Sequence, residues 1–123
     1  MDAYARITTF PVALTERSHR LLSEQLAGYL DDLSACIRRG DGWLFHDLLS
    51  AGLKLIFVAW FAAHHRYCPH HKWLRRWIER LGLDPAMAGL EQQLWDPGAD
   101  LGRKLEVFST LAHRALEASQ PRT

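Results

Sequence analysis

His64-His65-Arg66-Tyr67-Cys68-Pro69-His70-His71 gathers four of the chain's seven histidines, an arginine and one of its two cysteines into one short segment. Imidazole nitrogen and thiolate sulfur are zinc ligands, and His64 and Cys68 stand four residues apart. No Cys-x-x-Cys or His-Glu-x-x-His spacing accompanies them, however, and adjacent histidines on a helix point about 100° apart, so no metal site is expected. Arg66 and His71 suit a different chemistry. A histidine can shuttle a proton while an arginine stabilises growing negative charge, which is acid–base chemistry that needs no metal. The plainer alternative is a corner between two helices, with Tyr67 packed on Trp73 and the histidines in water. Lys72, Arg76 and Arg80, four apart, read first as a solvated helix face and only second as a phosphate-binding stripe.

The elements that must position this segment are helical. Leu22, Leu26, Tyr29, Leu33 and Cys36 recur at spacings of four and three, which is one face of a helix from about Thr15 to Arg39. Thr15 is the expected N-cap and Gly40 the terminator, with Asp41 capping the next helix at once. So short a link requires antiparallel neighbours. The second helix is expected from Gly42 to Tyr67. From Leu55 to Ala63 it is apolar all round, which marks the central buried element; that run is far short of the roughly 20 residues needed to span a bilayer.

Pro69 suits the first turn of a third helix, about Pro69 to Leu81, with Trp73, Leu74, Trp77, Ile78 and Leu81 on its inner side. Asp84-Pro85 opens a short helix with Met87, Leu90 and Leu94 inward. After the break at Asp96-Pro97-Gly98, Leu101, Leu105, Phe108 and Ala112 mark the last helix. The fold class is therefore all-α, an antiparallel four-helix bundle with one short extra helix. Residues 1–13 form an irregular lead-in or a short strand, residues 14–118 a single domain, and residues 119–123 a tail. Leu26, Leu33, Phe57, Trp60, Trp77 and Phe108 are the expected core.

The chain has 123 residues, 15 Lys+Arg against 14 Asp+Glu, and only two cysteines. That balance gives no bulk attraction to nucleic acid or anionic membrane, and it argues against a disulfide framework. The opening MDAYARITTF lacks a basic region followed by an apolar run, so no secretory signal is expected and the cytoplasm is the default setting.

The segment Ile37 to Leu81, IRRGDGWLFHDLLSAGLKLIFVAWFAAHHRYCPHHKWLRRWIERL, resembles the helical domain of unknown function that follows minimal nucleotidyltransferase domains. Arg39, Gly40 and Asp41 match that family's turn; Arg66, Tyr67, Pro69, Lys72 and Trp73 match the segment ending its long apolar helix. Asp100 to Leu116 looks like its final helix, so the resemblance covers about two-thirds of the chain. His64 and His65 depart from the usual Asn and Arg. More distantly, the Arg66/His71 spacing is similar to that of the HEPN superfamily, whose members are small helical bundles.

The resemblance implies an accessory domain that binds substrate or nucleotide through Arg66, Tyr67, His71, Lys72 and Trp73. Its partner would be a minimal nucleotidyltransferase domain, fused or separately encoded. Transfer of a nucleotidyl group needs a Gly-Ser turn for the triphosphate and an Asp-x-Asp pair for magnesium, and this chain has neither. Magnesium and nucleoside triphosphate would therefore enter only through the partner, and no cofactor is expected in this chain. Two alternatives remain open: a HEPN-type ribonuclease toxin acting as a homodimer on RNA, with Arg66 and His71 catalytic, and a structural dimerisation module. None of the three requires a membrane.

Overall fold

Gly40 makes the first turn of the fold possible. The computed structural model describes residues 10–121, and in it α1 (Val12–Arg39) is joined to α2 (Gly42–Ala63) by two residues. Gly40 takes φ 68°, a left-handed conformation that costs glycine nothing. Its amide and that of Asp41 donate to the carbonyls of Ile37 and Cys36. These satisfy the last turn of α1. The Asp41 carboxylate then accepts from the Leu44 amide at 3.0 Å and caps α2.

A 3₁₀ turn (His71–Trp73) leads into α3 (Leu74–Arg80), which is followed by α4 (Pro85–Gln93) and α5 (Leu101–Ser119). Among the described residues there is no strand, and the all-α expectation holds. Of the expected lead-in, residues 1–9 lie outside the described residues, as do the last two residues of the tail. The helical span begins at Val12 and ends at Ser119, slightly outside the expected 14–118.

Helices α1, α2 and α5 pack on one another, whereas α4 packs on α5 and α3 packs on α4. Three polar pins set the directions of the long helices. Thr15, near the start of α1, donates its hydroxyl to the Ala62 carbonyl at the end of α2, 3.0 Å away. Thr15 is therefore an interhelix tie and not the N-cap; α1 starts three residues earlier, after Pro11. Ser119 donates to the Ala115 carbonyl, so its oxygen is free to accept from His19 Nδ1 at 2.9 Å, tying the start of α1 to the end of α5. Lys104, only 6% exposed, reaches His46 Nε2 at 2.9 Å and ties the starts of α5 and α2 together. His46 Nδ1 lies 2.7 Å from the Gly42 carbonyl, which can only accept. That nitrogen must carry the ring proton, which leaves Nε2 to accept from the lysine.

Leu26, Leu33, Phe57, Trp60 and Phe108 are buried together as expected. Trp77 is not: it is 37% exposed, because Leu74 and Ile78, one position further on, take the inner face of α3. The 3₁₀ turn before α3 is the reason, since tighter winding rotates the face that follows. By length and composition α2 is able to cross a bilayer, yet about half of its apolar stretch is buried inside this fold.

Candidate functional site

Helix α2 stops at Ala63 and not at Tyr67. His65 takes φ 59°, unusual for a residue with a side chain, and the Arg66 amide donates back to the Phe61 carbonyl at 3.0 Å. This is a left-handed helix ending with histidine where glycine is usual. The His64 ring sits edge-on to Trp60, with centroids 4.9 Å apart. Burial there, and secondly the neighbouring His65, hold the His64 imidazole below its ordinary value.

The chain then runs without helix through Pro69, which precedes the 3₁₀ turn and is not part of a continuous third helix. His70 Nδ1 accepts from the Lys72 amide at 3.2 Å, so this histidine caps the turn. Burial pushes the Cys68 thiol up to about 11, which keeps it protonated at neutral pH and a poor nucleophile or metal ligand. Among the described residues no three His, Cys, Asp or Glu side chains are grouped to hold a metal.

Between α2 and the arm formed by α3 and α4 lies a cleft of about 790 Å³. Neither α3 nor α4 packs its backbone on α2, and this gap is the cleft. Leu53, Phe57 and Val58 of α2, with Leu74 of α3, supply its apolar surface. The segment from Cys68 to Lys72 also lines the cleft, as do Arg75, Glu91 and Trp95. Glu91, 9% exposed, accepts from Arg75 Nε on one oxygen and from Trp95 Nε1 on the other, both at 2.6 Å. Charge-assisted bonds on both oxygens compensate this buried carboxylate, fix the indole as a flat wall and tie α3 to α4.

With Arg75 neutralising Glu91, Lys54 and Lys72 give the cleft its net positive lining; neither has a carboxylate partner among the described residues. The volume lies within the range of small-molecule pockets, and the pairing of apolar floor with uncompensated cations suits an organic anion.

The five sequence-predicted site residues are divided. His71 and Lys72 line the cleft; Arg66, Tyr67 and Trp73 do not. Tyr67 packs on Phe10, with ring centroids 4.8 Å apart, rather than on Trp73 as expected. Trp73 lies beside Lys72 and Arg76. Lys54, Arg75, Glu91 and Trp95 were not anticipated. A signal for Glu91 was present: it falls on the inward stripe with Met87 and Leu94 at spacings of four and three, where a carboxylate is out of place unless something answers it. Comparison with models of known families, with curated proteins and with solved structures found no match.

Proposed function

We propose that this chain is a helical accessory domain of a nucleotidyltransferase system and contributes the cleft to the binding of substrate or nucleotide. In this reading α1, α2 and α5 are three helices of the antiparallel four-helix bundle of such domains, and the arm of α3 and α4 supplies the fourth and the short extra helix. Chemistry belongs to a cytoplasmic partner domain carrying the Gly-Ser turn, the Asp-x-Asp pair, magnesium and the triphosphate.

The observation that carries the reading is the cleft itself. Its apolar floor and Trp95 wall suit a flat body, and Lys54 and Lys72 suit an anionic end. His71 also lines the cleft, while Arg66 and Tyr67 stand outside the lining. The ribonuclease alternative requires Arg66 and His71 at a single phosphate, and only His71 faces the cleft.

Calorimetric titration of the chain with ATP, in chelator so that magnesium plays no part, tests the reading. Saturable one-to-one binding is expected. A Lys54→Ala/Lys72→Ala double variant should weaken it about a hundred-fold or more, since each lost charged hydrogen bond is worth roughly 1.5–3 kcal/mol. Arg66→Ala should change it less. No saturable heat with wild-type protein contradicts the assignment for nucleotide, and loss through Arg66→Ala alone moves the site to the corner.

A further inference from the structure

The outer face of α3 repeats one arrangement twice. In Trp73-Leu74-Arg75-Arg76-Trp77-Ile78-Glu79-Arg80 each tryptophan is followed three residues later by an arginine. The guanidinium of Arg76 lies over the Trp73 ring at 5.3 Å and that of Arg80 over Trp77 at 5.4 Å. Lys72 approaches Trp73 from the other side of the sequence, at 5.2 Å. Both indoles remain open, Trp73 at 42% and Trp77 at 37% exposed. Lys72, Arg76 and Arg80 have no carboxylate partner among the described residues. A merely solvated face carries charges but has no reason to leave two indoles in water. An inner face would have turned them inward, where Leu74 and Ile78 sit instead.

From this ladder we infer a docking face for single-stranded nucleic acid, separate from the cleft and independent of the accessory-domain reading. Trp73, Arg76, Trp77 and Arg80 lie outside the cleft lining; Lys72 belongs to both. A single strand offers phosphates to the cations and unpaired bases to the indole–guanidinium pairs, and stacking of this kind tolerates any sequence. The two rungs are four residues apart, one at the end of the 3₁₀ turn and one within α3, so the two stacking platforms follow one another about one turn apart. An acidic peptide would use the cations and leave the indoles unanswered. A membrane surface calls for a broad apolar face, which this helix of seven residues lacks because Leu74 and Ile78 point into the core. The chain's near-neutral total charge, +1, is no obstacle, since the positive charge is local: Lys72 to Arg80 holds four cations and one carboxylate.

The probe is a fluorescein-labelled dodecamer of oligothymidylate, whose lack of a 2′-hydroxyl excludes cleavage, followed by anisotropy at increasing salt. Three cations meeting phosphates predict a slope of log K against log salt of about −2, at ~0.7 per phosphate for a single strand. Arg76→Gln/Arg80→Gln should reduce that slope to about −0.7. Trp77→Leu should weaken binding roughly five-fold or more while leaving the slope unchanged, because it removes stacking and no charge. No binding at low salt overturns the proposal, as does binding indifferent to both variants. Equal affinity for labelled polyglutamate makes the face an acidic-peptide site instead. Sedimentation with phosphatidylglycerol vesicles without oligomer binding makes it a membrane contact. Should Trp77→Leu fail to fold, the arginine variant's slope still decides.

Discussion

Gly52→Ala and Gly28→Ala make the same chemical change in two helices, and the packing predicts opposite signs. Replacing glycine by alanine inside a helix gains about 0.8–1.0 kcal/mol from backbone propensity alone. At Gly28, in α1, a new Cβ meets no atom within 4 Å, so that gain should appear nearly whole. At Gly52, in α2, the Cβ would stand 2.6 Å from Phe108 Cζ, 2.7 Å from Cε2 and 3.3 Å from Tyr29 Cδ1. Phe108 is 1% exposed, so its ring must move against the buried side chains around it. Overpacking of this kind costs about 1–3 kcal/mol, which cancels or exceeds the propensity gain. The net effect of Gly52→Ala is thus from about zero to about 2 kcal/mol of lost stability, and the two variants should differ by about 1–3 kcal/mol. Urea titration with a shared slope measures both. Phe108→Leu should cost less in the Gly52→Ala background than in wild type, a coupling that a double-mutant cycle isolates. Equal stabilisation by both alanines would refute the close approach of α2 and α5 at this point.

Glu91→Gln should cost about 1–3 kcal/mol in denaturant, because the amide group turns a donor toward Trp95 or Arg75 and leaves a buried polar group unmatched; no change would mean that the carboxylate does not join α3 to α4. His46→Ala should cost about 2 kcal/mol or more by stripping the buried Lys104 ammonium of its acceptor, whereas Lys104→Met should stay within about 1 kcal/mol of wild type. The reverse order would contradict the tautomer assigned to His46. His64 binds its proton less readily folded than unfolded, so between its lowered value and 6.5 the unfolded chain holds more protons. Its contribution to stability is complete above about pH 6.5 and declines as pH falls below it. Urea midpoints across that window should fall less steeply with acid in His64→Gln than in wild type, and parallel curves would remove His64 as a cause.

The turn at Gly40-Asp41 was readable because one residue supplies a backbone conformation and the next a capping carboxylate, both local properties. The end of α2 was not, since an apolar run on all sides has no periodicity to stop. The left-handed residue there is His65, with no glycine to announce it. Trp77 was misplaced for a related reason. Positions 73/77 and 74/78 are neighbouring stripes about 100° apart, and the 3₁₀ turn before them decides which stripe faces inward. Part of the site was legible in the same sense: His71 and Lys72 come from the corner segment that the spacing marked. Lys54, Arg75, Glu91 and Trp95 come from three other stretches of chain, and only packing brings them to the same cleft.

The most direct test of cleft binding is a map of where ATP touches the chain. In amide and indole proton–nitrogen spectra recorded during an ATP titration, the Trp95 indole signal and the backbone signals from His71 to Arg75 should move together and saturate together. Signals of Gly28 and the rest of α1 should stay in place. An unmoved Trp95 indole, with changes confined to Arg66 and Tyr67 or absent altogether, would contradict the cleft as the site of binding.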